Sequence, residues 1–298
     1  MSELSQRSYH AFYQVYHDIK HKGKLVSPRG QKVLEIENYN YVLPPYVRFA
    51  SFEARKLKID YIKKELLWYL KGDRYDLSIT EQASMWKTLV NADGGINSNY
   101  GQYIFFPVDG LNQFNKVVKF LSDDKDSRRA SIVILSRDHV LSETNDLPCT
   151  YAMNFRIRDN KLNMTVRMRS QDMVFGMGND APTFSFTQEM VFTMLREVYP
   201  ELELGEYYHS VDSAHIYERH FDMLDQILVS DVVQFPGVEC PQMTYADVVQ
   251  LRVLHRGNKE RTIALQSLFT ESGGRGWSPF TNWVTDGQFA DVYPKETV

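Results

Sequence analysis

An α+β fold built around an antiparallel or mixed sheet is what the sequence predicts, and three observations predict it. Residues 151–157 and 162–168 carry apolar side chains at every second position around the polar turn Asp159-Asn160-Lys161, the pattern of an antiparallel hairpin. Stretches with apolar residues at helical spacing stand both before and after that hairpin. No repeat, low-complexity tract or linker divides the 298 residues, so a single domain spanning 1–298 is expected.

In chain order, residues 5–22 read as a helix through Tyr9, Phe12, Val15, Tyr16 and Ile19, with Gly23 as its stop. Ser27-Pro28-Arg29-Gly30 is a turn, and 32–41 reads as a strand ended by Pro44-Pro45. The clearest helix is 55–72, where Ile59, Ile62, Leu66, Tyr69 and Leu70 form one stripe and Gly72 caps the end. Glu65 falls on the edge of that stripe and reads either as a solvated glutamate or as a functional one. A short helix at 81–91 holds Trp86, and 94–101 is a turn-rich loop. A helix at 110–122 precedes a buried strand at 132–135. After the hairpin, 182–197 reads as a helix with Pro182 in its first turn. A strand at 207–217 and a helix at 220–229 follow, and Ser272 to Trp277 reads as a surface loop.

Apolar residues make up 43% of the chain, enough for a sizeable core. The net charge is −4, so no global basic field recruits a nucleic-acid polymer, and a small anionic ligand needs local arginines instead. No run approaches the ~18 apolar residues of a membrane span. The N-terminus has no apolar signal core, and Cys149 and Cys240 lack metal-ligand spacing. The expectation is a cytoplasmic protein with reduced thiols and no metal.

Chemistry-bearing residues gather at the ends of the hairpin. Cys149 opens the first strand, while Arg169, Ser170 and Asp172 follow the second, with Gly176 and Asp180 just beyond. Hairpin ends lie side by side, so these groups should meet. A free cysteine is most often a small buried hydrophobe. Neighbouring arginines change that reading, because they bind phosphate through planar forks and would lower a thiol pKa. Arg128 and Arg129, taken alone, read as an exposed basic pair. His215 and Tyr217 share one strand face and can meet one ligand. No Walker loop, dinucleotide fingerprint or zinc pattern is present.

Taken together, these motifs resemble the thymidylate synthase superfamily, and within it the phage deoxycytidylate (dCMP) hydroxymethylases. The resemblance covers roughly residues 25–230, leaving 236–298 as an unassigned C-terminal extension. It rests on six stretches in family order: Glu65 to Asp73, Asn97 to Gly101 with Tyr100, Asp126 to Arg129, Leu147 to Cys149, Arg169 to Asp172, and His215 to Tyr217. Thr150 stands after the cysteine, as in the hydroxymethylases, where synthases usually have His. Leu89 replaces the second tryptophan of the synthase motif, Trp86 being kept, and Asp180 replaces the asparagine that reads uracil. Arg29 sits within a residue of the family's N-terminal phosphate arginine, in an altered local motif.

The resemblance implies a homodimer joined through a sheet face, acting on a pyrimidine nucleoside monophosphate with 5,10-methylenetetrahydrofolate as cosubstrate. It implies Cys149 as nucleophile on ring carbon 6 and Asp180 as the reader of the base. Tyr100 takes part in proton loss from ring carbon 5, and Glu65 organises the water that adds. Arg169 and Ser170, with Arg29, hold the phosphate, and Arg128 and Arg129 reach it from the partner subunit. His215 and Tyr217 hold the sugar hydroxyl. Glu65, Trp86, Asp172 and Gly176 line the folate. Alternatives are a CMP hydroxymethylase of nucleoside-antibiotic biosynthesis, a methylating synthase, and an inactive nucleotide-binding relative.

Overall fold

The computed structural model describes residues 2–105, 111–254 and 278–286. Helix α1 (Glu3–Lys22) leads to strands β1 (Lys24–Val26) and β2 (Val33–Leu43), then to helix α2 (Ile59–Lys71). Short helix α3 (Gly101–Ile104) and helix α4 (Gln113–Asp123) precede β3 (Ser131–Val133) and helix α5 (Arg137–Leu141). The hairpin β4 (Thr150–Arg158) and β5 (Lys161–Met168) is followed by two-residue β6 (Gln171–Asp172) and central helix α6 (Gly176–Leu195). Strand β7 (Glu203–Tyr217) and helices α7 (Phe221–Val229), α8 (Tyr245–Leu254) and α9 (Pro279–Thr285) complete the described chain.

The strands form one mixed, mostly antiparallel sheet in the order β1-β2-β7-β5-β4-β3, with β6 pairing β7. The expected hairpin is present, closed by Asp159 and Asn160, both at positive φ. That left-handed pair matches the twist of the flanking strands, and Asn and Asp tolerate it. The inner sheet face, with Met153, Phe155, Met164, Val166 and Val211, is buried, and α6 packs against β5 and β7. Each such side chain contributes ~1.5–3 kcal/mol on leaving water. The opposite face leaves Val42, Val133 and Tyr208 exposed.

Several boundaries differ from expectation. Tyr151 does not share the inner face with Met153. The register shifts between Thr150 and Ala152, and this bulge turns Tyr151 outward, where its hydroxyl donates to Asp212 at 2.9 Å. The 81–91 stretch holds one tight 3₁₀ segment, Ser84–Leu89, with Trp86 buried, and a second, Leu77–Glu81, precedes it. Helix α2 starts at Ile59 rather than 55, and ends as expected at left-handed Gly72. Helix α4 starts at Gln113; residue 110 and the loop expected at Ser272–Trp277 lie outside the described residues. The 132–135 strand is shorter, and Val133 is exposed.

Helix α6 begins at Gly176, not at Pro182, so Pro182 lies inside it. Glycines are poor helix formers and hid its first turn from the sequence reading. Gly178 leaves room for the guanidinium of buried Arg55, which a Cβ there would displace. Arg55 in turn donates to the Val174 carbonyl at 2.8 Å and holds the turn that enters α6.

The C-terminal helices are tied to the body by buried polar contacts. Asp247 accepts from the Thr281 backbone at 2.8 Å and from the Thr244 backbone at 2.8 Å. Glu189 of α6 pairs with buried Arg48 at 2.7 Å and accepts the Met243 N–H at 2.8 Å.

Candidate active site

Cys149 stands at the entry to β4, half-buried. Its N–H donates to the Tyr100 hydroxyl at 3.2 Å, and its carbonyl accepts the Arg169 N–H at 2.8 Å. The Arg169 guanidinium folds back on the same loop, donating to Pro148 at 3.1 Å and Leu147 at 2.7 Å. Two of its five N–H groups are thereby engaged, which fixes the fork and leaves the others for a ligand. Asp146 fastens the loop from beneath, accepting the Ser98 N–H at 2.6 Å, which ties the 97–101 loop to the cysteine loop.

Tyr100 is buried and lies nearly parallel to Tyr69 and Phe184, with ring centroids at 5.5 and 6.2 Å. Gly101 lets this loop press on α2, since a Cβ would run into the Tyr69 carbonyl. Burial, then the neighbouring Cys149, pushes the Tyr100 phenol well above its usual range, so it stays protonated.

Glu65 is 3% exposed, which excludes the solvated reading. Its Oε1 accepts from Tyr61 at 3.2 Å, and the Tyr61 hydroxyl accepts from Trp86 Nε1 at 2.8 Å. Its Oε2 is buried with no hydrogen-bond partner among the described residues. Burial, with repulsion from Asp180, raises the Glu65 carboxyl to about 8. Asp180 sits in the second turn of α6, and its Oδ2 accepts from Gln171 Nε2 at 2.9 Å. Burial is the main cause that raises it to about 7; Gln171 lowers it and Asp172 raises it. Asp180 is thus inside the helix and is not a cap.

The Cys149 thiol is pushed up, contrary to the expectation of an arginine-lowered pKa. Burial outweighs Arg169, and Asp180 and Asp146 outweigh the help of exposed Arg29, which stands in a left-handed turn within electrostatic reach. Asp172 accepts the Val174 N–H at 3.0 Å, and β6 sets it beside His215 on β7. The His215 and Tyr217 rings meet at right angles, 5.1 Å apart. Gly176 lies against Asp172 and Asp180.

Cys149, Tyr100, Glu65, Asp180, Arg169 and Arg29 therefore converge. Arg128 and Arg129 do not. The neighbouring Ala130 carbonyl accepts the Phe155 N–H at 2.9 Å, and Phe155 lies about 20 Å along β4 from Cys149. Both arginines are exposed, with Arg129 over the Phe120 ring at 4.9 Å. Gln171, Asp146, Tyr61 and Arg55 had no assigned role in the sequence. The fold brings Tyr61 and Arg55 to the cluster from α2 and the segment before it, whereas Asp146 and Gln171 lie within three residues of expected site residues.

Among the described residues no group of three or more His, Cys, Asp or Glu is placed to hold a metal ion, and no helix is long and apolar enough to cross a membrane.

The thymidylate synthase family model matches residues 10–255, further into the tail than the motif resemblance. The deoxycytidylate 5-hydroxymethyltransferase of Enterobacteria phage T6 is 31% identical over 215 residues, covering 70% of this chain and 85% of that protein. The enzyme of the same name from Enterobacteria phage T4 is 30% identical over the same shares. The deoxyuridylate hydroxymethyltransferase of Bacillus phage SP01 is 28% identical over 225 residues, covering 68% of this chain and 56% of that protein. The chain belongs to the thymidylate synthase family, whose members are folate-dependent one-carbon transferases.

Proposed function

We propose that this protein is a deoxycytidylate 5-hydroxymethyltransferase, converting dCMP, 5,10-methylenetetrahydrofolate and water to 5-hydroxymethyl-dCMP and tetrahydrofolate. The carrying observation is Asp180, a carboxyl in electrostatic reach of Cys149 and Glu65 and tethered by one oxygen to Gln171. Cytosine offers a 4-amino donor, and its ring nitrogen 3 donates when protonated. A carboxylate accepts from both.

In this reading Cys149 adds to ring carbon 6, and Asp180 holds the base as electron density moves to carbon 5. A base that hydrogen-bonds Asp180 removes part of the negative charge that opposes the thiolate. Bound methylenetetrahydrofolate supplies the one-carbon unit to carbon 5. The unpartnered Glu65 Oε2 fits a polar ligand there, with Trp86, Asp172 and Gly176 as further folate neighbours. Tyr100 relays the carbon 5 proton through water; its raised phenol and its hydrogen bond from the Cys149 N–H support this role. Glu65, raised to about 8, is poised to exchange a proton with the water that adds to the exocyclic methylene. Arg169, Ser170 and Arg29 hold the phosphate, and His215 and Tyr217 the sugar.

The reading includes a homodimer. The uncovered sheet face with Val42, Val133 and Tyr208 offers an isologous interface, and Arg128 and Arg129 are too far from their own Cys149 to serve it. They serve the partner's phosphate site instead.

One observation favours a second reading, hydroxymethylation of dUMP. A carboxyl raised to about 7 is partly protonated near neutrality, and a protonated carboxyl presents the donor and acceptor that uracil requires. Incubation with methylenetetrahydrofolate and dCMP, CMP or dUMP, followed by product mass, separates the cases. Hydroxymethyl-dCMP is expected. Turnover of dUMP alone overturns the cytosine reading, a methyl product overturns water addition, and no product with any nucleotide overturns the enzyme.

A further inference from the structure

Beneath Asp180 lies a polar chain that the reaction does not use directly. Gln171, 2% exposed, bridges two elements: its Nε2 donates to Asp180 Oδ2 at 2.9 Å, and its Oε1 accepts the Tyr41 hydroxyl at 3.2 Å. Tyr41 is itself fixed, stacked on buried His209 with centroids 4.6 Å apart and planes 9° from parallel. The His209 Nδ1 meets the Tyr207 hydroxyl at 2.6 Å.

An amide has donors at one end only. With Tyr41 donating to its oxygen, Gln171 must turn its N–H toward Asp180. Were the amide reversed, its oxygen would face a carboxylate oxygen, two acceptors opposed, unless Asp180 carried a proton. The direction of one buried amide is thus coupled to whether Asp180 is an acceptor only.

We infer that Gln171 is the specificity-determining positioning residue of the site: its Tyr41-anchored amide occupies Asp180 Oδ2 and keeps the carboxyl an acceptor-only partner, which selects an amino-bearing pyrimidine over its keto counterpart. The inference rests on the cytosine reading above.

Asp172, from β6, opposes the Asp180 charge, and Glu65 from α2 and Cys149 from the entry to β4 are within its electrostatic reach. The phenols of Tyr41, Tyr61, Tyr69, Tyr100 and Tyr207 surround it and are kept neutral by burial. Gln171 is the group that favours the ionised form.

The test uses two variants of similar size that lack the donor, Gln171→Met and Gln171→Leu. The kcat/KM for dCMP and dUMP is measured across pH, and the Asp180 carboxyl of the unliganded protein is titrated by carbon-13 NMR, assigned with Asp180→Asn. The dCMP:dUMP preference should fall about ten-fold or more, the contribution of one charge-assisted hydrogen bond. The rise of dCMP turnover with pH and the Asp180 titration should both move to higher pH. In the Asp180→Asn background, where Gln171 orients the introduced amide, Gln171→Met should release that amide and move the preference back toward dCMP. Equal losses on both nucleotides, with pH profile and titration unmoved, would mean that Gln171 only packs, and the inference falls. Wild-type protein that prefers dUMP defeats the cytosine reading separately, because the NMR titration measures the Gln171–Asp180 link without any substrate. A variant that does not fold is replaced by Gln171→Asn, whose shortened amide no longer spans Tyr41 and Asp180 and should give the same changes.

Discussion

Replacing Asp180 by asparagine tests the base reading most directly. In the wild-type protein Gln171 donates to Asp180 Oδ2 at 2.9 Å, and Tyr41 holds that amide in direction. The side chain introduced by Asp180→Asn must therefore turn its oxygen toward Gln171, which leaves its NH₂ facing the base. That group opposes the amino group of cytosine and suits the 4-carbonyl of uracil. A buried donor set against a donor costs ~1–3 kcal/mol, about ten- to a hundred-fold in kcat/KM. Activity on dCMP should fall by that factor, while dUMP binds or turns over better. Steady-state kinetics of both nucleotides with wild type and variant provide the assay. Helix capping predicts near-neutrality, since Asn and Asp cap equally well. The position of Asp180 inside α6 already argues against a cap. An unchanged dCMP:dUMP preference would refute the assignment of Asp180 as base reader, and with it the choice of cytosine.

Cys149→Ser should abolish turnover and largely spare nucleotide affinity, measured by calorimetry, because a hydroxyl is a far weaker nucleophile and the arginines are untouched. Cys240→Ser should leave kcat unchanged, since burial holds that thiol up at about 12 and it lies outside the cluster. Mixing inactive Cys149→Ala and Arg129→Ala chains should restore part of the activity if sites are shared; no recovery after demonstrated subunit exchange refutes sharing. Glu65→Gln should lose hydroxymethylation yet raise Tm at pH 8 relative to wild type, with the difference closing toward pH 5. The folded pKa of Glu65, about 8, lies above its unfolded value, so the stability it contributes is present at low pH and lost as pH rises through about 8. The effect is on the order of a few kcal/mol, and equal melting curves at both pH values would contradict the raised carboxyl.

Much of this was legible in the sequence because it rests on local rules. The 151–168 alternation and its Asp-Asn turn specify a hairpin, and the 59–70 stripe with Gly72 specifies a helix. What escaped was set by contacts distant in sequence. Glu65 could be a surface residue on position alone; only the packing of Tyr61 and Trp86 around it decides that it is buried. The start of α6 was masked by Gly176 and Gly178, the second of which faces Arg55 from another element. Tyr151 obeyed alternation in sequence and broke it through a bulge. The direction of the Cys149 shift depended on a balance between burial, two carboxylates and two arginines, which no spacing reveals. Gln171 lies inside a recognisable motif, yet its partners Tyr41 and Asp180 come from β2 and α6.

The docking of α9 against α2 bears on how the site opens. Lys63, two residues before Glu65, pairs with Asp286 at 2.5 Å and lies over the Trp283 ring at 4.8 Å. Asp247 joins α9 to α8, and Glu189 joins the start of that segment to α6. The helix that bears Glu65 and the helix that bears Asp180 are thus both clamped by the C-terminal segment. Hydrogen exchange resolves proteins into cooperative units that open together, and this wiring puts the two buried carboxyls and the chain's last described helix into one such unit. Loosening of α8 and α9 would therefore be felt at once by the helices that carry both carboxyls.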